Sequence, residues 1–172
     1  EQFKSIINKV GVYANTLMFY FMGEPFLNKE SYEMIRYAKD IGIPFITTCT
    51  NGDPVNPEKI IECGLDEVNF QIGGITQETH EIYRVNSNIN RVLTGLKETV
   101  RLKRIHNSKI RVIAGFIVMK HNEHEVEEFK RKMSELGVDG VSIINPCVRN
   151  IAQGEEFLPE DKKYWDYNIE EF

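Results

Sequence analysis

The feature that most constrains this chain is an alternation of short apolar runs with stretches of helical period, separated by only a few residues. The runs are 16–22, 44–48, 67–72, 110–119 and 139–145. Tyr32, Ile35 and Ala38 lie on a helical stripe over 29–41, and a brief helix is expected over 57–63. Another helix is expected over 76–83. Two longer stripes follow, one through Ile89, Val92, Leu93, Leu96 and Val100, the other through Val126, Phe129, Met133 and Leu136. Gly42, Gly64 and Gly137 supply helix stops, and Asn88 and Asn122 read as N-caps, the latter with Glu125 close to a capping-box position. Strands joined by short helical crossovers pair in parallel, because the right-handed crossover is the one that packs back on the sheet. The expected fold class is α/β, a curved parallel sheet of about five strands with outer helices. The run 16–22 is almost continuously apolar, which predicts a strand buried on both faces. The run 110–119 is the most apolar and predicts the central strand.

Composition removes several function classes. With 41% hydrophobic residues, 172 residues can bury one substantial core. A net charge of -5 argues against neutralising a phosphate backbone, so no nucleic-acid partner is expected. No apolar run is long enough to span a bilayer and no leader pattern is present, which predicts no membrane partner and a cytoplasmic location. Cys49, Cys63 and Cys147 lack the spacing of a disulfide framework or a metal site and are expected as buried thiols. His121 and His124 flank Asn122 and read as exposed loop residues, so the expected metal ligand set is none. A metal-dependent enzyme using His80, His121 and His124 is an alternative. Residues 147–172 lose the alternation and become acidic and aromatic, with Trp165, Tyr167 and Phe172. They are expected to form an extension or linker, with a docked helix after Pro159.

The turns that follow the strands carry the functional signal, because ligands of parallel α/β proteins bind at the carboxyl ends of strands. Gly23 allows a sharp turn or a close backbone approach, while Pro25 removes a donor and biases Glu24 away from helical conformation. Taken alone, Gly23-Glu24-Pro25 reads first as a plain strand-to-helix connection. Asn51 and Gly52 form a second sharp turn, in TTCTNGDPVN. Gln71, polar near the end of VNFQIGG, is either hydrogen-bonded to backbone or aimed at a ligand.

The order of these signals resembles radical S-adenosylmethionine enzymes. It comprises Gly23-Glu24-Pro25, then Thr48 to Gly52, then VNFQIGG with His80 and Arg84, then MKHNEHEVEEF. The sub-pattern is most similar to members with a carboxyl-terminal auxiliary iron-sulfur domain, such as peptide- and sulfatase-maturing enzymes. The resemblance implies a partial (β/α)6 TIM-like barrel that binds S-adenosylmethionine and a 4Fe-4S cluster. It also implies reductive cleavage to a 5′-deoxyadenosyl radical, which abstracts hydrogen from a peptide or small-molecule substrate. It places the turn of Gly23, Glu24 and Pro25 at the methionyl amino group and Thr48 and Asn51 beside the cofactor. Gln71 falls at the ribose or carboxylate, Arg84 at the carboxylate, and Ile117 and Val118 at adenine.

Departures accompany the resemblance. Met22 stands where the family has glycine, Gln71 where it has serine or aspartate, and the CxxxCxxC loop that ligates the cluster is absent. No catalytic residue is assigned. Residues 1–146 are expected to be a core barrel truncated at its amino end, inactive alone. The missing partners would be a cluster-binding segment and a carboxyl-terminal domain, and an open edge at 16–22 predicts self-association. The alternative is a noncatalytic parallel α/β binding module or a degenerate domain of the same kind.

Overall fold

The computed structural model describes residues 1–165. The helix α1 (Gln2–Val10) leads into β1 (Thr16–Met18), α2 (Ser31–Asp40), β2 (Phe45–Thr50), α3 (Pro57–Glu62) and β3 (Glu67–Ile72). Then come α4 (Gln77–Tyr83), α5 (Ile89–Ile105), β4 (Arg111–Ile117), α6 (Val126–Leu136), β5 (Gly140–Ile144) and α7 (Ile151–Phe157). The five strands lie in the order β1-β2-β3-β4-β5, and every neighbouring pair is parallel. Each crossover advances by one strand in one direction, which is how a barrel wall is wound.

Strand geometry sends alternate residues to opposite faces, and the two faces differ sharply. Ile46, Thr48, Val68, Phe70, Val112, Ala114 and Phe116 point one way and are fully buried. Ile35, Ala38, Ile60, Val92, Leu96 and Phe129 cover them from the helices, with the rings of Phe116 and Phe129 4.6 Å apart. The opposite face carries Thr47, Cys49, Glu67, Asn69, Gln71, Gly115, Ile117 and Ser142, aligned by the register Cys49↔Asn69↔Ile113↔Gly140 and Gln71↔Gly115↔Ser142. This second face is polar and is the concave side on which a ligand can lie.

The first strand departs from its sequence expectation. It spans three residues, only Leu17 of which is partly covered, and Met18 is 59% exposed. Phe19 N still donates to Thr47 O at 2.8 Å, after which the chain leaves the sheet and places Phe21 and Met22 in solvent. Apolar character there marks an uncovered sheet edge, not burial on both faces. A helix that the sequence did not suggest, α7, precedes Pro159 and is capped by Asn150, and among the described residues a 3-10 turn follows Pro159 at Lys162–Tyr164. Lys120 N donates to Phe157 O at 3.0 Å, fastening this segment to the exit of β4. Tyr167 and Phe172 lie outside the described residues. Within them, no helix is long and apolar enough to cross a membrane.

At the amino end of the sheet one device occurs twice. Gly64-Leu65-Asp66 and Gly137-Val138-Asp139 each follow a helix, and each glycine has positive φ, 90° and 85°. Asp66 pairs with Lys39 at 2.7 Å and accepts Ile46 N at 2.7 Å. Asp139 pairs with Lys103 and accepts Val112 N at 2.6 Å. Each aspartate thus fixes the start of a neighbouring strand, and Arg111 adds an ion pair to Glu67 at 2.8 Å.

Candidate functional site

At the carboxyl end of the sheet, four successive strand-end turns are joined by a continuous belt of hydrogen bonds. It begins at Glu24, after β1. Its Oε1 accepts Phe26 N at 3.1 Å and Thr50 Oγ1 at 2.8 Å, and its Oε2 accepts Asn51 N at 2.6 Å. The Glu24 carboxylate therefore ties the first turn to the second. Asn51 Oδ1 accepts Asp53 N at 3.1 Å, and Asp53 in turn accepts Ser87 Oγ and Asn88 N. Ser87 Oγ lies 2.8 Å from His80 Nε2, and His80 Nδ1 accepts Gly73 N, after β3, at 3.1 Å. Gly73 O accepts Asn122 Nδ2, after β4, at 2.8 Å, and the same amide reaches Ile117 O and Met119 N. Glu125 closes the end by accepting Ile75 N and Thr79 Oγ1, both at 2.9 Å.

This belt corrects the local reading of Asn122 and Glu125. Asn122 makes no side-chain cap bond to the helix that follows, and both side chains are buried in long-range contacts. A buried amide with partners on two strands leaves none of its own polar atoms unsatisfied. The sequence also leaves Thr50, Asp53 and Ser87 unassigned, although Asp53 and Ser87 sit in the polar turn segments TNGD and NSN that mark the loops.

The expected site residues divide into two groups. Gly23, Glu24, Pro25, Asn51, Gln71, Arg84 and Ile117 lie at the strand ends or on the concave face. Gly23 has φ 86° and open space where a Cβ would be, so its backbone is available to a ligand. Both Glu24 oxygens are already engaged, leaving the turn's peptide groups as its binding surface. Thr48 and Val118 are fully buried. Thr48 Oγ1 donates to Phe19 O at 2.9 Å, so it fixes the exit of β1 from behind, and Val118 N donates to Ile144 O.

Charge and polarity at the concave face suit a zwitterionic ligand. The Arg84 guanidinium carbon sits 4.8 Å from the Tyr83 ring centre, and its Nε is buried with no hydrogen-bond partner. Burial lowers its pKa, opposed by Tyr83, Glu24 and Cys49, and it remains a cation. Asn69 Oδ1 is a second buried atom without a partner. The side-chain amides of Asn69 and Gln71 sit against Gly115, where an added Cβ would clash with both. Burial raises the Cys49 thiol against hydrogen bonds from Tyr20 and Gln71, so at neutral pH it is a neutral group. These features fit S-adenosylmethionine, whose carboxylate needs a donor fork and whose ribose needs polar partners.

The cysteines do not fit a 4Fe-4S cluster, which needs converging thiolates. Cys49 is on the concave face, Cys147 is exposed, and Cys63 is buried in the helix-side core with its thiol pushed up to about 11. Among the described residues no group of His, Cys, Asp and Glu converges as a metal site. His80 has both nitrogens engaged, and His124 is exposed.

A parallel barrel wall with its polar side chains at the carboxyl ends of the strands defines an α/β ligand-binding core, and comparison assigns it. The profile of the radical SAM superfamily matches residues 1–133. The chain belongs to that superfamily. A probable GTP 3′,8-cyclase of Sulfurisphaera tokodaii is 28% identical over 144 residues, covering 81% of this chain and 44% of that protein. Another, from Saccharolobus islandicus, is 27% identical over 124 residues, covering 71% and 39%. The chain thus spans about two fifths of the length of these curated relatives.

Among solved structures, TYW1 with a lysine-pyruvate adduct has a TM-score of 0.65 at 13% identity, covering 91% of this chain and 52% of that one. Native anSMEcpe with bound AdoMet has a TM-score of 0.63 at 16% identity, covering 83% and 41%. A 2,3-dimethylmalate lyase also superposes, at TM-score 0.56 and 12% identity over 84% and 55%. Likeness at these identities shows the TIM-like fold alone. Family membership implies S-adenosylmethionine and a 4Fe-4S cluster as cofactors of the parent enzyme.

Proposed function

We propose that this chain forms the S-adenosylmethionine-cradling wall of a radical enzyme that abstracts hydrogen from its substrate. The observation that carries this reading is the belt, which fixes four strand-end turns while leaving the buried Arg84 Nε, on a side chain packed beside Gly73, without a hydrogen-bond partner. In this reading Arg84 pairs with the methionyl carboxylate. The peptide groups around Gly23, Glu24 and Pro25 accept its ammonium, with Asn51 beside them. Gln71 binds the ribose, and Ile117 packs against adenine. Thr48 and Val118 support the wall from its helix side. S-adenosylmethionine held here would supply a carbon-centred radical for hydrogen abstraction on receiving one electron from a 4Fe-4S cluster that these cysteines do not ligate, and the chain's own residues would bind and orient it.

The relatives named GTP 3′,8-cyclase favour a nucleotide as the substrate of the parent enzyme. Peptide maturation is the second reading, favoured by the order of strand-end signals, which resembles peptide-maturing members. Calorimetric titration with S-adenosylmethionine tests the cradle. The folded chain is expected to bind it, and Arg84→Ala to weaken binding by about tenfold or more through loss of a charge-assisted pair. Equal affinity of the two proteins, or no binding by the folded chain, overturns the reading.

A further inference from the structure

The middle of the belt has a fixed direction. A backbone N–H can only donate, so the bond from Gly73 N requires His80 Nδ1 to be unprotonated. The hydrogen of the neutral ring is then on Nε2 and points to Ser87 Oγ, 2.8 Å away. The Ser87 hydroxyl passes its own hydrogen to Asp53 Oδ2, which can only accept. His80 is fully buried, and two of the bonds that set the backbone around Arg84 involve members of this relay. Arg84 N donates to His80 O, and Ser87 N donates to Arg84 O, both at 2.9 Å. Gly73 is also tightly enclosed, because a Cβ would meet His80 O at 3.1 Å and Arg84 Cγ at 3.2 Å and one of them would have to shift.

We propose that Asp53, Ser87 and His80 are positioning residues that set the Gly73 peptide and the Arg84 loop for S-adenosylmethionine, and that protonation of His80 Nδ1 releases both. The inference rests on the cradle proposed above. A proton on Nδ1 places two donors against each other at Gly73 N, and the turn must move. The charges that reach the ring are Arg84, at the end of its own helix, and Asp53, from the turn after β2. Burial and then Arg84 lower the His80 pKa below 6.5, while Asp53 opposes them, so the ring is neutral at pH 7 and takes up a proton only below 6.5.

The test compares S-adenosylmethionine affinity across pH in the full chain, in His80→Asn and in Ser87→Ala, with circular dichroism checking the fold at each pH. Asparagine can present an oxygen near the Nδ1 position but does not titrate. Wild-type affinity is expected to fall only as the pH is lowered below 6.5, by up to about tenfold per unit once His80 is charged. Over the same range His80→Asn is expected to keep a flat profile, and both titrations see the same ionisation of the ligand. Ser87→Ala is expected to bind more weakly at pH 7 than wild type. Identical pH profiles in folded wild type and His80→Asn overturn the relay while leaving the cradle intact. Absence of binding by folded wild type at pH 7 overturns the cradle, and the positioning role with it.

Discussion

The two ends of the sheet solve the same problem, holding parallel strands in register, with different chemistry. At the amino end the fixings are ion pairs, Lys39 with Asp66, Lys103 with Asp139 and Arg111 with Glu67, all partly exposed to water. At the carboxyl end the carboxylates Glu24, Asp53 and Glu125 accept from backbone N–H and hydroxyl groups instead of pairing with cations, and Thr50, His80, Ser87, Asn122 and Glu125 are buried. Hydrated ion pairs contribute little and tolerate movement, whereas a buried polar group left without its partner incurs its full desolvation penalty. The carboxyl end is accordingly the end that must keep its geometry. Among the described residues Arg84 makes no salt bridge there, which is what the proposed pairing with a ligand carboxylate requires.

That contrast can be broken most directly at Asn122. Asn122→Ala strands Gly73 O, Ile117 O and Met119 N, and is expected to lower stability by about 3 kcal/mol. Urea denaturation measures it, and a loss below about 1 kcal/mol would mean the two ends are equivalent. At the amino end, Asp139→Asn keeps an acceptor for Val112 N and removes the charge, for an expected loss of about 1 kcal/mol that salt reduces.

The pH dependence of that loss has a definite sign. Burial alone would raise the Asp139 pKa, but Lys103 and the Val112 N–H outweigh it and hold the carboxyl below 3.8. Its stabilisation is fully present above the unfolded value and disappears as pH falls through the folded one. Thermal melts of wild type and Asp139→Asn should therefore converge only below about pH 4. The smallest effect is expected on the solvent face of α6. Lys130→Ala removes an i,i+3 pair with the fully exposed Glu127 and should leave the melting curve unchanged. A measurable loss would show that exposed ion pairs contribute more in this protein than the contrast allows.

The element order was legible because each segment carries its own period and stop. Tyr32, Ile35 and Ala38 declare a helix, and Gly42, Gly64 and Gly137 adopt the positive φ that ends one. The belt was only partly legible. Its turns announce themselves through Gly23, Pro25, Asn51 and Gly52, but its partners do not. Asp53 and Ser87 are 34 positions apart, and Asn122 reaches Gly73 across 49, distances over which no local pattern operates. Local rules gave Asn122 and Glu125 to a helix cap because those rules see only neighbours. The first strand was overextended for a related reason, since Met18, Phe21 and Met22 are apolar whether or not anything covers them. The helix at Ile151–Phe157 was missed because none of its residues is buried, so it shows no core stripe.

Trp165 is the only tryptophan in the chain, and its indole N–H donates to Pro159 O at 2.8 Å within the segment fastened to Lys120. Intrinsic emission is therefore a local optical reporter of that terminal segment rather than of the barrel wall. A fluorescence transition that precedes the loss of helical dichroism would record the segment lifting away, and should not be read as a barrel folding intermediate.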